Sequence, residues 1–473
     1  MLSAGWGRVD LAFPDGLGLF GFGPRGGRGV AVPAGAAEHD TLQARALWLE
    51  QGAERALVVS LDLASGSRLV QRGIADALAL PRDRVIVIGT HTHAGPGHFL
   101  GNLYDTFAHH PRGTRPEVVA LIVAAGVAAA RQARDAAVPC RVGVARRTLW
   151  GAGRNRSFRA FLANFDDPRT PWSSDLAAGA PSHLAPEERA VDPRLTALVF
   201  VRASDGRPVG TWATWCCHPA TLPRHPLRSY HRDWPGVAVD VMDRRWGTSM
   251  IHQGANGDVT SIPVGRITIE RPMARVRALG QRIAHAWNAA AREAAERAVD
   301  VELEVRSATL VPPDEGLRSW EIGTPVILGS EEALPGLATR LFGESRTFGW
   351  RGAPQAPKRP ALGPLQHVLQ RVTRLAPSPA HPMWLLRLGD HVWFASPFEQ
   401  TTMAARSVER ALVAAWKARR GTAVTAGPIG LAGDYAGYVT TRPEYHAQHY
   451  EGGHTLYGED QLEVLTRVWR GMI

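Results

Sequence analysis

Two histidines flank a threonine in Gly89-Thr90-His91-Thr92-His93-Ala94-Gly95-Pro96-Gly97. On an extended segment, residues two apart point the same way, so both imidazoles can converge on one cation or one substrate. Imidazole is the commonest metal ligand and titrates near neutrality; the segment alone fits a metal site, an acid–base pair or a solvated loop. His218 follows an apolar stretch ending in Trp215-Cys216-Cys217 and precedes Pro219. Read alone, it suits a structural role at a strand end better than a ligand role. His225 and His231 beyond it read as solvated, with Asp233 as an acceptor behind a ligand. Asn256-Gly257-Asp258-Val259-Thr260-Ser261 can present amides and hydroxyls to a ligand, or simply turn the chain. Glu399 stands just ahead of Thr401 and Thr402, either of which can cap a helix, so its carboxylate is a ligand or an acidic stabiliser of the first turn. Tyr435, Tyr438, Tyr445, Tyr450 and Tyr457 crowd into one segment although the chain has only 7 tyrosines, which marks a packing cluster, an interface or a site.

The elements that must carry these residues alternate short apolar runs with helical periodicity. That pattern predicts a mixed α/β fold, a large mixed sheet with flanking helices and reactive residues in loops at strand ends. Stretches 57–61 and 85–88 are β-branched runs of the kind covered on both faces. The His91 loop follows directly, where α/β folds place ligand-binding loops. Stretches 196–201 and 209–215 flank Asp205-Gly206, and 384–388 and 391–396 flank Gly389-Asp390; both predict hairpins. Val299, Val301, Leu303 and Val305 alternate with polar residues, which predicts a strand with one wet face. Helices are expected over 117–134, opened by Pro116, over 273–297 and over 402–419. Residues 312–382 are rich in proline and glycine and read as an insertion or cap. With no repeat and no linker, 1–473 reads as one large domain.

Composition removes several classes. Apolar residues are 45% and charged residues 21% of 473, enough to bury a large core and too apolar for wholesale disorder. The longest nearly uncharged run, 118–130, is shorter than the roughly 20 residues a bilayer-crossing helix needs. Lys plus Arg is 54 against 44 acidic residues, a net charge of +10. Lys358 and Lys417 are the only lysines, and the arginines form no run of the kind that marks a nucleic-acid arm. No nucleic-acid partner is expected; a mildly cationic surface suits peripheral contact with an anionic membrane. Cys140, Cys216 and Cys217 give neither a disulfide framework nor a cysteine zinc site. No charged start leads into an apolar stretch, so a cytoplasmic protein is expected from the chain as written, and an exported one if its N-terminus is incomplete.

Together the segments resemble the neutral ceramidase family (the neutral/alkaline non-lysosomal ceramidases) along nearly the whole chain. The resemblance rests on Gly7-Arg8-Val9-Asp10 with Gly21-Phe22-Gly23, on Thr90 through Gly97, on Asn155-Arg156-Ser157 and on Gly257-Asp258-Val259. It continues through Tyr438-Val439-Thr440-Thr441, Glu444-Tyr445, Gln448 and Tyr450-Glu451-Gly452. It implies one zinc ion per chain held by His91, His218, Glu399 and Tyr438. His93, Arg156 and Tyr450 would be catalytic groups that do not ligate, and Asp258 and Thr260 would lie beside substrate. The implied reaction splits the amide of ceramide, or of a ceramide-like N-acyl lipid, into fatty acid and sphingoid base.

Amide carbonyls are poor electrophiles, and zinc held by His, His and Glu would acidify a bound water to a pKa of about 7. Arg156, His93 and Tyr450 would stabilise the oxyanion, and His93 or Tyr450 would pass a proton to the leaving amine. Three departures stand out. Thr260-Ser261-Ile262 replaces the family's Ser-Pro-Asn, and Pro219-Ala220-Thr221 replaces Gly-Thr-Ser after the histidine. Family members also continue into a smaller C-terminal β-rich domain, expected to be absent here because the sequence ends at Ile473. Two other readings follow: a zinc amidase, or a condensing enzyme, acting on another N-acyl amine or acylated metabolite, and a non-catalytic lipid-binding protein on the same fold.

Overall fold

The structure, a computed structural model, describes residues 1–20, 40–107, 113–166, 179–222, 229–262, 271–330, 350, 354–361, 363, 365–366 and 376–473. Gly21-Phe22-Gly23 and His225 lie outside them. In chain order the strands are β1 (Leu2–Asp10), β2 (Gln43–Gln51), β3 (Glu54–Leu61), β4 (Val85–Gly89), β5 (Val138–Thr148), β6 (Arg154–Asn155), β7 (Arg194–Arg202) and β8 (Pro208–Trp215). They continue with β9 (Thr248–Gln253), β10 (Val259–Thr260), β11 (Leu303–Leu310), β12 (His381–Leu388), β13 (His391–Ala395), β14 (Glu399–Gln400), β15 (Thr425–Ile429) and β16 (Tyr438–Val439). An 8-stranded sheet runs β4-β3-β2-β1-β5-β7-β8-β9 and a 4-stranded sheet runs β11-β12-β13-β15. The pairs β3–β4 and β8–β9 are parallel and the rest of the large sheet is antiparallel. The expected mixed α/β architecture is therefore present.

Side-chain alternation along the strands builds four layers. One face of the large sheet carries the helices Arg68–Leu78 and Pro116–Asp135 over its first half, and Asp233–Trp246 and Pro272–Glu296 over its second. Its other face packs on the small sheet, where Leu47, Val58, Ile88 and Phe200 meet Val305, Leu386 and Trp393. Trp212 and Trp393 stack across this seam with centroids 4.9 Å apart. The far side of the small sheet is covered by the helices Thr402–Arg420 and Gln461–Gly471. Pro116–Asp135 is long and apolar enough to cross a membrane by composition, yet it is a core helix, with Val118, Ile122, Ala129 and Ala133 buried. Gly5 and Gly7 in β1 allow it to approach: a Cβ would stand 2.0 Å from the Ala133 carbonyl oxygen at the first and 2.1 Å from that of Ala129 at the second.

Both hairpins form, with Thr196 opposite Thr214 and Trp384 opposite Ala395. The strand expected from Val299 instead begins at Leu303. Its partner β12 ends at Leu388, opposite Leu303, so nothing continues the ladder backwards, and Val299 bridges Val142 in the large sheet. The described part of 312–382 packs on the tyrosine-rich segment: the Glu321 amide donates to Leu456 O at 2.9 Å and the Gly323 amide to Gly453 O at 2.8 Å. Lys358, fully buried there, donates to Glu321 O, Gln355 Oε1 and Thr455 O.

Candidate metal centre

The site gathers where β4, β8, β14 and β16 end. Past β4 the backbone amides of Thr90 and His91 donate to Leu61 O and Leu63 O, and His91 takes a left-handed conformation with φ 72°. Such a φ is strained for a residue with a Cβ, and it turns the imidazole inward. The His91 Nδ1–H donates to Ala64 O at 2.7 Å. Beyond β8, the His218 amide and its Nδ1–H both donate to Val259 O, each at 3.0 Å. A carbonyl oxygen only accepts, so each Nδ1 carries the proton, and in the neutral rings both Nε2 lone pairs face the centre. Burial and nearby Arg156 hold the His218 imidazole below its usual pKa, in its neutral form.

Glu399 and Tyr438 arrive together as paired residues of the parallel β14–β16 ladder. Thr401 caps the helix after β14, accepting from the Ala404 amide. Glu399 Oε2 lies 2.8 Å from His218 Nε2 and 3.2 Å from His91 Nε2, and accepts from Asn256 Nδ2 at 3.1 Å. Its Oε1 accepts from Tyr435 Oη at 2.8 Å. Tyr438 Oη lies 3.4 Å from His218 Nε2. Burial alone would raise the Glu399 carboxyl; positive charge shared with the His91 and His218 imidazoles outweighs it and holds the group well below the usual carboxylate range, whether that charge is a proton on a ring or a cation between them. Burial, reinforced by Glu399, holds the Tyr438 phenol well above its ordinary value.

His93 completes the cluster. Its Nε2 is 3.3 Å from His91 Nε2, and the ligand atoms of His91, His93 and His218 all lie within 4.8 Å of one another. The His93 amide donates to Pro219 O and Thr92 Oγ1 to His231 O, so the two histidine loops brace each other. His231 is therefore buried, not solvated as expected, because its loop is held under the site. Burial, with the neighbouring imidazoles, keeps His93 neutral, its pKa well below the usual value. With neutral rings, two imidazole lone pairs, a carboxylate oxygen and a phenol oxygen converge in a buried space where hydrogen atoms alone satisfy them poorly. A divalent cation fits such a donor set.

Arg156 runs beneath the cluster. Its Nη2 donates to Tyr438 Oη at 3.0 Å and to Gly257 O at 2.7 Å, and its Nε to Glu451 Oε1 at 2.9 Å. The guanidinium lies 5.8 Å from the Tyr438 ring centroid and 5.4 Å from that of Tyr450. The two rings meet edge to face at 5.5 Å. Asp258 is engaged within the protein: Oδ1 accepts from the Thr402 amide and hydroxyl, both at 2.8 Å, and Oδ2 from Asn155 Nδ2 at 2.7 Å. Thr260 bridges the His218 backbone, and its Oγ1 accepts from the Ile262 amide at 3.1 Å. Burial, with Glu451 beside it, pushes Asp258 up to about 6; burial, with Asp258, pushes Glu444 up to about 8.

Three supporting residues have little or no sequence signal. Tyr435 stands in the tyrosine cluster, but nothing in its spacing distinguishes it from packing. Tyr104 donates or accepts at His454 Nε2 across 2.9 Å, and the His454 ring lies 5.2 Å from Tyr438 and 5.7 Å from Tyr450. An isolated tyrosine and a histidine over 300 positions apart carry no pattern that would join them.

A layered α/β/β/α sandwich with a buried histidine–carboxylate–phenol cluster at its strand ends defines an α/β protein with a cluster that could hold a metal ion. The chain belongs to the neutral/alkaline non-lysosomal ceramidase family, whose N-terminal profile matches residues 31–262 and 351–467. It is 27% identical to a neutral ceramidase of Pseudomonas aeruginosa over 88% of this chain and 64% of that protein. It is 25% identical to a neutral ceramidase of Mycobacterium tuberculosis over 98% of this chain and 75% of that one. The chain thus spans less than two thirds of the Pseudomonas relative's length. A solved structure of a ceramidase complexed with C2 superposes with a TM-score of 0.78 over 100% of this chain and 74% of that chain, at 24% identity, which establishes the shared fold.

Proposed function

We propose that the protein is a zinc-dependent amidohydrolase that cleaves the N-acyl amide bond of ceramide or a ceramide-like lipid. One observation carries the reading: donors from four distant segments, His91, His218, Glu399 and Tyr438, meet in one buried cluster inside a chain of the ceramidase family. These four would hold the zinc. When bound, zinc supplies a Lewis acid that polarises a carbonyl and acidifies a water.

The chain's own residues supply the rest. Glu451 holds Arg156 by its Nε, which aims the Nη2 edge at the Tyr438 oxygen; the same cation stabilises negative charge developing on the scissile carbonyl oxygen. Each well-placed oxyanion donor lowers the barrier by about 2.7–4 kcal/mol. His93, neutral and beside His91, can accept a proton at a ring nitrogen and return it to the leaving amine. Tyr450, stacked on the Arg156 guanidinium, is the alternative donor for that step. The net charge of +10 would favour contact with an anionic membrane that carries the substrate.

A second reading keeps the chemistry and changes the substrate to another N-acyl amine. The Pro219 carbonyl that braces His93 belongs to a stretch, Pro219-Ala220-Thr221, that differs from the family's pattern beside the centre. The test is zinc analysis of the purified chain together with turnover of fluorescent N-acyl-sphingosine and a panel of shorter N-acyl amines, with and without a chelator. Stoichiometric zinc and turnover lost in both His91→Ala and Glu399→Ala are expected. Turnover unaffected by either substitution refutes the mechanism, and stoichiometric lipid binding without turnover of any substrate favours a non-catalytic binder.

A further inference from the structure

The two oxygens of Glu399 have different surroundings. Oε2 faces both imidazoles and accepts from Asn256. Oε1 points away and accepts from the Tyr435 hydroxyl at 2.8 Å. We propose that Tyr435 is a positioning residue of the metal centre: by occupying Oε1 it presents Glu399 to the cation through Oε2 alone. The proposal rests on the reading of His91, His218 and Glu399 as zinc ligands.

A free carboxylate can bind a cation through one oxygen or two. A hydrogen bond to one oxygen removes that lone pair from competition and fixes the plane of the group, the task that partners behind metal ligands perform. Tyr435 is built to hold still. Its ring is buried edge-on against Tyr104 at 4.5 Å and Phe20 at 5.6 Å, and its amide donates to Asp434 Oδ1 at 2.9 Å. The direction of the bond is fixed because an ionised carboxylate only accepts. One-oxygen ligation leaves one more position at the cation for water or substrate than two-oxygen ligation does.

The experiment compares the full chain with Tyr435→Phe and His91→Ala. Zinc affinity is read by competition with a fluorescent chelator, ligation by the visible spectrum of the cobalt-substituted protein, and folding by melting of the metal-free form. Tyr435→Phe keeps the ring and is expected to melt like the wild type, to bind zinc about 10–100-fold more weakly and to change the cobalt spectrum. Wild-type affinity and an unchanged cobalt spectrum in Tyr435→Phe, with zinc lost in His91→Ala, overturn the proposal alone. Wild-type zinc affinity in His91→Ala overturns the zinc reading beneath it. Should Tyr435→Phe not fold, the zinc-minus-apo infrared difference spectrum of the wild type decides. The wide carboxylate splitting of one-oxygen ligation, absent in Glu399→Gln, supports the proposal, and a narrow two-oxygen splitting overturns it.

Discussion

Glu399 and Tyr438 sit directly opposite each other in a two-residue parallel ladder, so one short backbone pairing delivers both a carboxylate and a phenol to the histidines. The two side chains are not equal partners. The carboxylate oxygen lies 2.8 Å from His218 Nε2, while the phenol oxygen lies 3.4 Å from the same atom and already accepts from Arg156 Nη2 at 3.0 Å. A neutral phenol is a weak donor to a cation.

The expected order of zinc loss follows. Tyr438→Phe retains zinc and lowers its affinity less than His91→Ala or His218→Ala, which remove imidazoles whose orientation is fixed by Ala64 O and Val259 O. Zinc titration of the three variants gives the order. A Tyr438→Phe protein that loses zinc as completely as His91→Ala would show that the phenol is a principal ligand.

The Arg156–Glu451 pair is buried on both sides, with 3% and 2% of the side chains exposed. Removing one partner of a buried pair leaves an uncompensated charge and typically costs about 3–5 kcal/mol. Glu451→Ala is therefore expected to lower stability on that scale in urea unfolding and to reduce kcat through the misplaced guanidinium. Arg156→Lys should not restore the wild type, because Nε and Nη2 reach Glu451, Gly257 and Tyr438 in a fixed planar fork that an ammonium cannot copy. Near wild-type turnover in Arg156→Lys would contradict this use of the fork.

Sequence and structure agree most closely where a residue's role is local. The runs at 57–61 and 85–88, both glycine-turn hairpins and the three long helices announce themselves because periodicity and turn chemistry act within a few residues. The family resemblance supplies the set His91, His218, Glu399 and Tyr438, which the structure brings together, but the residues by themselves do not show its closure. It depends on a ladder between residues 399 and 438 and on a bridge from 218 to 260, which no short window contains. β1 is hidden for another reason: Gly5 and Gly7 spoil its strand pattern, and they are there because a helix backbone crosses it. His231 is misread because a polar loop residue is ordinarily wet, while this one is sealed between Asp40, at 3.2 Å, and the Asp233 amide, at 2.8 Å.

His252 links stability to acid. Its ring is fully buried beside Trp212 at 5.6 Å, and among the described residues neither ring nitrogen has a hydrogen-bond partner. Burial pushes its pKa down to about 3, against about 6.5 in the unfolded chain. Between these values the unfolded chain holds a proton that the folded one refuses, so stability rises with pH through the window. The contribution is complete above about pH 6.5 and lost as pH falls toward about 3, a total of about 4–5 kcal/mol on an order-of-magnitude scale. His252→Phe should flatten the acid limb of a stability–pH curve by about one proton. Identical slopes in the variant and the wild type would place the acid sensitivity elsewhere.

Zinc should also act as a staple. His91 and His218 belong to loops of the large sheet, whereas Glu399 and Tyr438 follow the small one, so a shared cation would tie the two sheets together at their ends. A ligand that binds only the folded state stabilises it by RT ln(1 + [L]/Kd), about 4 kcal/mol at a thousandfold excess over Kd. The melting temperature is therefore expected to rise with free zinc and to fall on chelation. In hydrogen exchange, the amides of Glu399, Thr401 and Tyr438, which bond Gly437 O, Val439 O and His454 O, should lose protection before the sheet centre does when zinc is removed. His218→Ala should melt at one temperature whatever the zinc concentration. Zinc-dependent melting that survives in that variant would mean the cation stabilises the fold from some other place.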